Sequence, residues 1–262
     1  MENSLCPVPC GGPGVYGSGL RGEGKPVPVG RGIQKPCGAD CSYAGAGRGD
    51  TRGYAGGCHP GTHGGAGGER PLEEMGVPIP DKTVDFADLQ ENTNADIYAW
   101  IYIPDTKVDY PVLQHPTDNT YYLNYNLDGS RGYPGCIYTE DYNKKDFTDP
   151  NTVVYGHNMK NGTMFGGLTA YASDSQYLEE HPYVYVYTEE GLLVYEIFAA
   201  YESTDEHILY AHDWFGDRKV FGKYIEEILD MRSMGSVLKE GAEVTADSRI
   251  LTMSTCISSK PN

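Results

Sequence analysis

The chain has 262 residues and a formal net charge of −17, and its 34 glycines and seven cysteines are spread unevenly. Residues 1–70 hold 21 of the glycines, five of the cysteines and 7 Lys+Arg against 5 Asp+Glu, which leaves 13 against 32 for the remainder. Phosphate contacts need clustered Lys and Arg, so a remainder this acidic excludes nucleic acid as a partner.

Residues 1–70 are nearly devoid of Ile, Leu and Phe. Such a stretch cannot bury enough apolar surface to offset its ordering entropy. It contains Cys6-x3-Cys10, Cys37-x3-Cys41, and Cys58-His59 with His63 nearby. Structural zinc sites use tighter pairs inside a folded module. The stretch therefore reads as a disordered Gly/Pro-rich tail or a non-native extension, ahead of a metal-binding element. Residues 71–85, with "VPIPDKT", read as a linker. Residues 86–262 form the folded part. It has two cysteines, Cys136 and Cys256, which is no disulfide framework. The sequence shows no run of about 18 apolar residues for a membrane span and no secretory signal pattern.

In chain order, "DFADLQEN" predicts a short helix capped by Asp85 or Asp81. Strands follow at about 98–103 and 108–114, with Pro111 pushing the second toward an edge or a bulge. "TDNTYYLNYN" predicts a one-turn helix capped by Asp118 and Thr117, and "GCIYTE" a third strand after the turn "DGSRGYPG". "NTVVY" is a strand closed by Gly156. "TMFGGLTAYA" is a short helix with Phe165, Leu168 and Tyr171 on one face; "SDSQYLEEHP" is another, capped by Ser173 or Asp174. "YVYVYTEEGLLVYEIFAAYES" is a hairpin about "TEEG". "FGDRKVFGKYIEEILDMRSM" is the longest helix, with Val220, Tyr224, Ile225, Ile228 and Leu229 at the 3.6 period, and "SRILTMSTC" is a last strand. At least seven short strands with helical connections predict a mainly β fold, a barrel or a sandwich.

Cys256 lies just past the buried run "ILTMST", among the polar residues Ser254, Thr255, Ser258 and Ser259. A cysteine there faces a rim rather than the core, and a nucleophilic thiol needs such partial exposure beside a group that favours thiolate. Five histidines lie in the folded part. His115 and His181 precede prolines in turns, and His207 and His212 lie in a loop-like stretch. His157 follows the buried run "TVVY" and Gly156, so it too ends a strand. Two strand ends on one rim can meet. Cys136 lies inside a strand and reads as packing.

"TVVYGHNMKNGTMFGGL" and "LTMSTC", with "AWIYIPDTKVDYPVLQ", "YYLNYNLDG" and the helix "DRKVFGKYIEEIL", resemble the sortases, class B in particular, over about residues 84–262. The resemblance implies a sortase β-barrel with a long helix before the cysteine strand. It implies a cysteine transpeptidase at the extracellular face of the Gram-positive cell membrane, with no cofactor or metal. Cys256 would attack the Thr carbonyl of an LPXTG- or NPXTX-like sorting signal in a secreted surface protein. His157 would protonate the leaving amine and deprotonate the incoming one, supplied by a peptidoglycan cross-bridge or a pilin. Ser254 and Thr255 would contact substrate.

The family also uses an oxyanion-stabilising arginine, on the strand about ten positions past the cysteine. Only "ISSKPN" follows Cys256 here, so that arginine and the last barrel strand are missing. Arg249 and Lys260 do not match the motif. A Gly-rich tail stands where the family has a signal-anchor. The expectation is a chain incomplete at its C-terminus, with a catalytically impaired, peptide-binding fragment as the alternative function.

Overall fold

Asp85 opens the first helix as expected: its Oδ1 accepts the Asp88 amide at 3.0 Å, and α1 runs Phe86–Asn92. The alternating run after it becomes β1 (Ile97–Tyr102), antiparallel to β2 (Asp109–Leu113). The computed structural model describes residues 76–203, 207–211, 215–231 and 235–256. Of these, residues from Val84 on form one unit and 76–83 belong to another. The cysteine- and histidine-bearing stretch 1–70, His212 and Lys260 lie outside the described residues.

The remaining elements are α2 (Tyr121–Asn124), β3 (Ile137–Thr139), β4 (Asn151–Tyr155), a 3-10 helix (Gly166–Ala170), α3 (Ser175–Glu180), β5 (Tyr183–Thr188), β6 (Gly191–Glu196), β7 (Ala199–Tyr201), α4 (Ile208–Ala211), α5 (Arg218–Leu229), β8 (Ser236–Leu238) and β9 (Ile250–Ser254). Seven strands form one sheet in the order β6-β5-β1-β2-β3-β4-β9; β2–β3 and β4–β9 pair in parallel, the other neighbours antiparallel. Every one of these strands sends side chains into a single apolar cluster. Ala99 and Ile101, Val112, Ile137, Val154, Val184 and Val186, Leu193, and Leu251 and Met253 all belong to it. A sheet whose seven strands share one interior has curled around its own core. The fold is therefore a nearly closed barrel rather than a sandwich.

The outer face of β4 and β9 is roofed by α5. Asp217 caps this helix by accepting the Lys219 amide at 2.8 Å, and Phe221, Tyr224, Ile225 and Ile228 pack on Val153 and Ile250. Its buried stripe is thus rotated from the expected one: Phe221 is central, while Val220 and Leu229 are partly buried flanks.

Other local expectations are corrected. Thr120, not Asp118 or Thr117, is the N-cap of α2 and makes no side-chain cap; Asp118 Oδ1 instead accepts from Thr120 itself. Pro111 lies in a strand with neighbours on both sides, yet β3 pairs with β2 only from Val112 on, so at Pro111 that flank is locally an edge. Phe165, Leu168 and Tyr171 share a buried face because the turn is 3-10, in which every third residue eclipses. The second arm of the predicted hairpin divides: β6 completes the barrel, and β7 leaves to pair with β8 in a separate two-stranded sheet.

Candidate active site

The β4–β9 ladder sets the site. Its register runs from Asn151↔Ile250 to Tyr155↔Ser254, a constant offset of 99 positions. Three further bonds carry the same alignment past the strand ends. The Gly156 amide donates to the Ser254 carbonyl at 3.1 Å, Thr255 Oγ1 donates to the Gly156 carbonyl at 2.7 Å, and Asn158 Nδ2 donates to the Cys256 carbonyl at 2.7 Å. His157 and Cys256, also 99 positions apart, therefore stand level on neighbouring chains, which in a sheet run about 4.8 Å apart.

Gly156 is required where the chain turns to His157. A Cβ there would come within 2.4 Å of Ile137 Cδ1 and 2.7 Å of Phe165 Cδ2. The loop beyond closes back on itself, the Phe165 amide donating to the His157 carbonyl at 3.0 Å and Asn158 bridging Met164.

His157 Nε2 lies 2.8 Å from the Leu123 carbonyl. A carbonyl only accepts, so Nε2 carries a proton and Nδ1 is the nitrogen left for chemistry. Leu123 sits at the C-terminal end of the four-residue α2, where carbonyls have no partner within the helix. Gly135, at φ +66°, makes room for it: a Cβ at 135 would meet the Tyr122 and Leu123 carbonyl oxygens at 2.6 and 3.0 Å. The Tyr133 ring closes another side of the imidazole, edge to face at 4.9 Å.

Cys256 is half-buried, whereas Cys136 is buried, donates to the Tyr125 carbonyl at 3.4 Å, and has its thiol pushed up by burial to about 12. A half-exposed thiol level with an imidazole can be a nucleophile; Cys136 stays protonated and packs. Thr255 is 4 % exposed with its hydroxyl engaged by Gly156, and Ser254 is also buried. The other described histidines are placed elsewhere. His115 stacks on Tyr121 at 4.3 Å, His181 packs on Tyr177 at 4.5 Å, and His207 Nε2 sits 2.6 Å from Glu140 Oε2. Arg249 precedes β9 at the end opposite Cys256, roughly 20 Å away along an extended strand. No group of three or more metal-ligating side chains occurs among the described residues. The Leu123 carbonyl, Asn158 and Tyr133 are the site's unanticipated members.

The Sortase domain family model matches residues 101–262. The chain is 39 % identical over 175 residues to Sortase B of Listeria monocytogenes, covering 66 % of this chain and 67 % of that protein. It is 31 % identical over 166 residues to Sortase B of Staphylococcus aureus, covering 63 % and 65 %. It thus spans about two thirds of the length of these relatives. Among solved structures, sortase B from Listeria monocytogenes superposes with a TM-score of 0.56 at 35 % identity, over 66 % of this chain and 94 % of that one. A Staphylococcus aureus sortase B–substrate complex gives 0.58 at 29 % identity, over 67 % and 78 %. A sortase B complexed with triglycine gives 0.58 at 29 % identity, over 66 % and 77 %.

Proposed function

The chain belongs to the sortase family, on its sortase B branch, and from that premise of a cysteine transpeptidase we propose that Cys256 is the nucleophile and His157 the acid/base. The observation that supports this assignment is the shared level of the two residues at the C-terminal ends of β4 and β9. Residues 86–262 are the catalytic domain in this reading.

The chemistry runs in two halves. Cys256 Sγ, as thiolate, adds to the Thr carbonyl carbon of a sorting signal of the LPXTG or NPXTX type. The C–N bond breaks as the imidazolium of His157 gives its Nδ1 proton to the leaving amine, and a thioester remains on Cys256. An incoming amine then loses a proton to Nδ1 and attacks the thioester carbon, the new amide forms, and the thiolate leaves. Peptidoglycan or a pilin supplies that amine, and the reaction takes place at the outer face of the cell membrane. The substrate and triglycine complexes of sortase B support the two substrate classes. Ser254 and Thr255 support the acyl group from beneath with buried side chains, Thr255 holding the rim through Gly156.

The alternative reading is a sortase-like module that binds sorting signals with little turnover. Incubation with an NPXTX or LPXTG peptide and triglycine separates the two. A ligated peptide product that requires Cys256 supports the transpeptidase, and saturable peptide binding without product supports the impaired module.

A further inference from the structure

Tyr133 is 77 % exposed, one of few large apolar side chains so placed among the described residues. Its ring nevertheless has a fixed neighbour, the His157 imidazole, with centroids 4.9 Å apart and planes at 60°. The loop that carries it is fastened on both sides. The Gly132 amide donates to the Asn124 carbonyl at 2.8 Å, and the Gly135 amide to Asn126 Oδ1 at 3.0 Å. An antiparallel bridge joins Tyr125 to Arg131, and Asn126 donates its amide to the Ser130 carbonyl at 2.8 Å. The same segment supplies the Leu123 carbonyl that accepts from His157 Nε2. One short stretch, 123–133, thus contacts the imidazole twice, through a carbonyl on one nitrogen and an aromatic ring against the ring itself.

We propose that Tyr133 is a positioning residue for His157: its ring and the Leu123 carbonyl together hold the imidazole in the Nε2–H form, with Nδ1 presented to Cys256. The inference rests on the His157–Cys256 assignment above. The physical warrant is that edge-to-face aromatic pairs fix relative orientation and are favourable beyond the area they bury. The Tyr hydroxyl has no part in this, and Phe serves as well.

The test uses the full chain. Alkylation of Cys256 by iodoacetamide is followed by peptide mass spectrometry, which separates it from the other six cysteines. The His157 tautomer is read from its 15N ring shifts. Y133A is expected to slow Cys256 alkylation by about fivefold and to give mixed His157 tautomers, whereas Y133F restores the parent rate and the Nε2–H signature. Parent-like or faster alkylation in Y133A, with the tautomer unchanged, overturns the proposal while H157A still slows alkylation. If H157A also alkylates at the parent rate, the dyad itself is wrong and this inference falls with it.

Discussion

Tyr155 pairs with Ser254 on the last rung of the parallel β4–β9 ladder, and His157 and Cys256 each follow two residues later. Parallel pairing is what makes this useful. Both strands leave the barrel in the same direction, so their C-terminal ends share a rim. Residues far apart in sequence then share one rim with no long loop between them.

The turn at Gly156 predicts a specific cost. Gly156→Ala forces its Cβ onto Ile137 and Phe165, both buried in the barrel interior. Overpacking of this kind costs about 1–3 kcal/mol. A lowered urea midpoint, together with slower Cys256 alkylation as His157 is displaced, is the expected result.

Asn158→Ala removes the bond from Nδ2 to the Cys256 carbonyl. The stability loss is expected to be about 1 kcal/mol, the usual net worth of one hydrogen bond. The larger effect falls on Cys256, whose backbone loses its tie to the His157 loop. Urea unfolding and the Cys256 alkylation rate, measured on the same variant, report the two effects separately.

Burial also sets a pH limit. The Cys136 thiol is pushed up to about 12, as are the Tyr185 and Tyr187 hydroxyls, in each case first by desolvation. The unfolded chain loses these protons first, near the ordinary values of 9.0 for Cys and 10.0 for Tyr. Folded-state stability from these groups is therefore complete below about pH 9 and declines through pH 12. Phenolate absorbance should rise in step with loss of the near-ultraviolet dichroism for the buried tyrosines, rather than ahead of it.

Much of this was legible in the sequence, for reasons tied to particular residues. His157 and Cys256 each end a buried β run, at Gly156 and in a polar stretch, and that pattern marks a rim. The β4–β9 pairing that sets them level is a long-range choice that no local pattern encodes. The Leu123 carbonyl is a backbone group and leaves no side-chain signature. Tyr133 reads as one residue of a glycine- and proline-rich turn, and only its contact with His157 gives it a role. The β7–β8 sheet escaped because β8 is three residues long, and because "GLLVYEIFAAYE" is apolar straight through the point where β6 gives way to β7.

The central claim is the joint action of His157 and Cys256 on a sorting signal, and an active-site-directed label tests it most directly. A sorting-signal peptide carrying a vinyl sulfone in place of the Thr carbonyl group is incubated with the full chain, and the adduct is located by peptide mass spectrometry. The account predicts labelling at Cys256, faster than with a scrambled peptide, lost in C256A and slowed by about a hundredfold in H157A, as for removal of a general acid/base. Equal labelling by the scrambled peptide, or an adduct that persists in C256A, would contradict it.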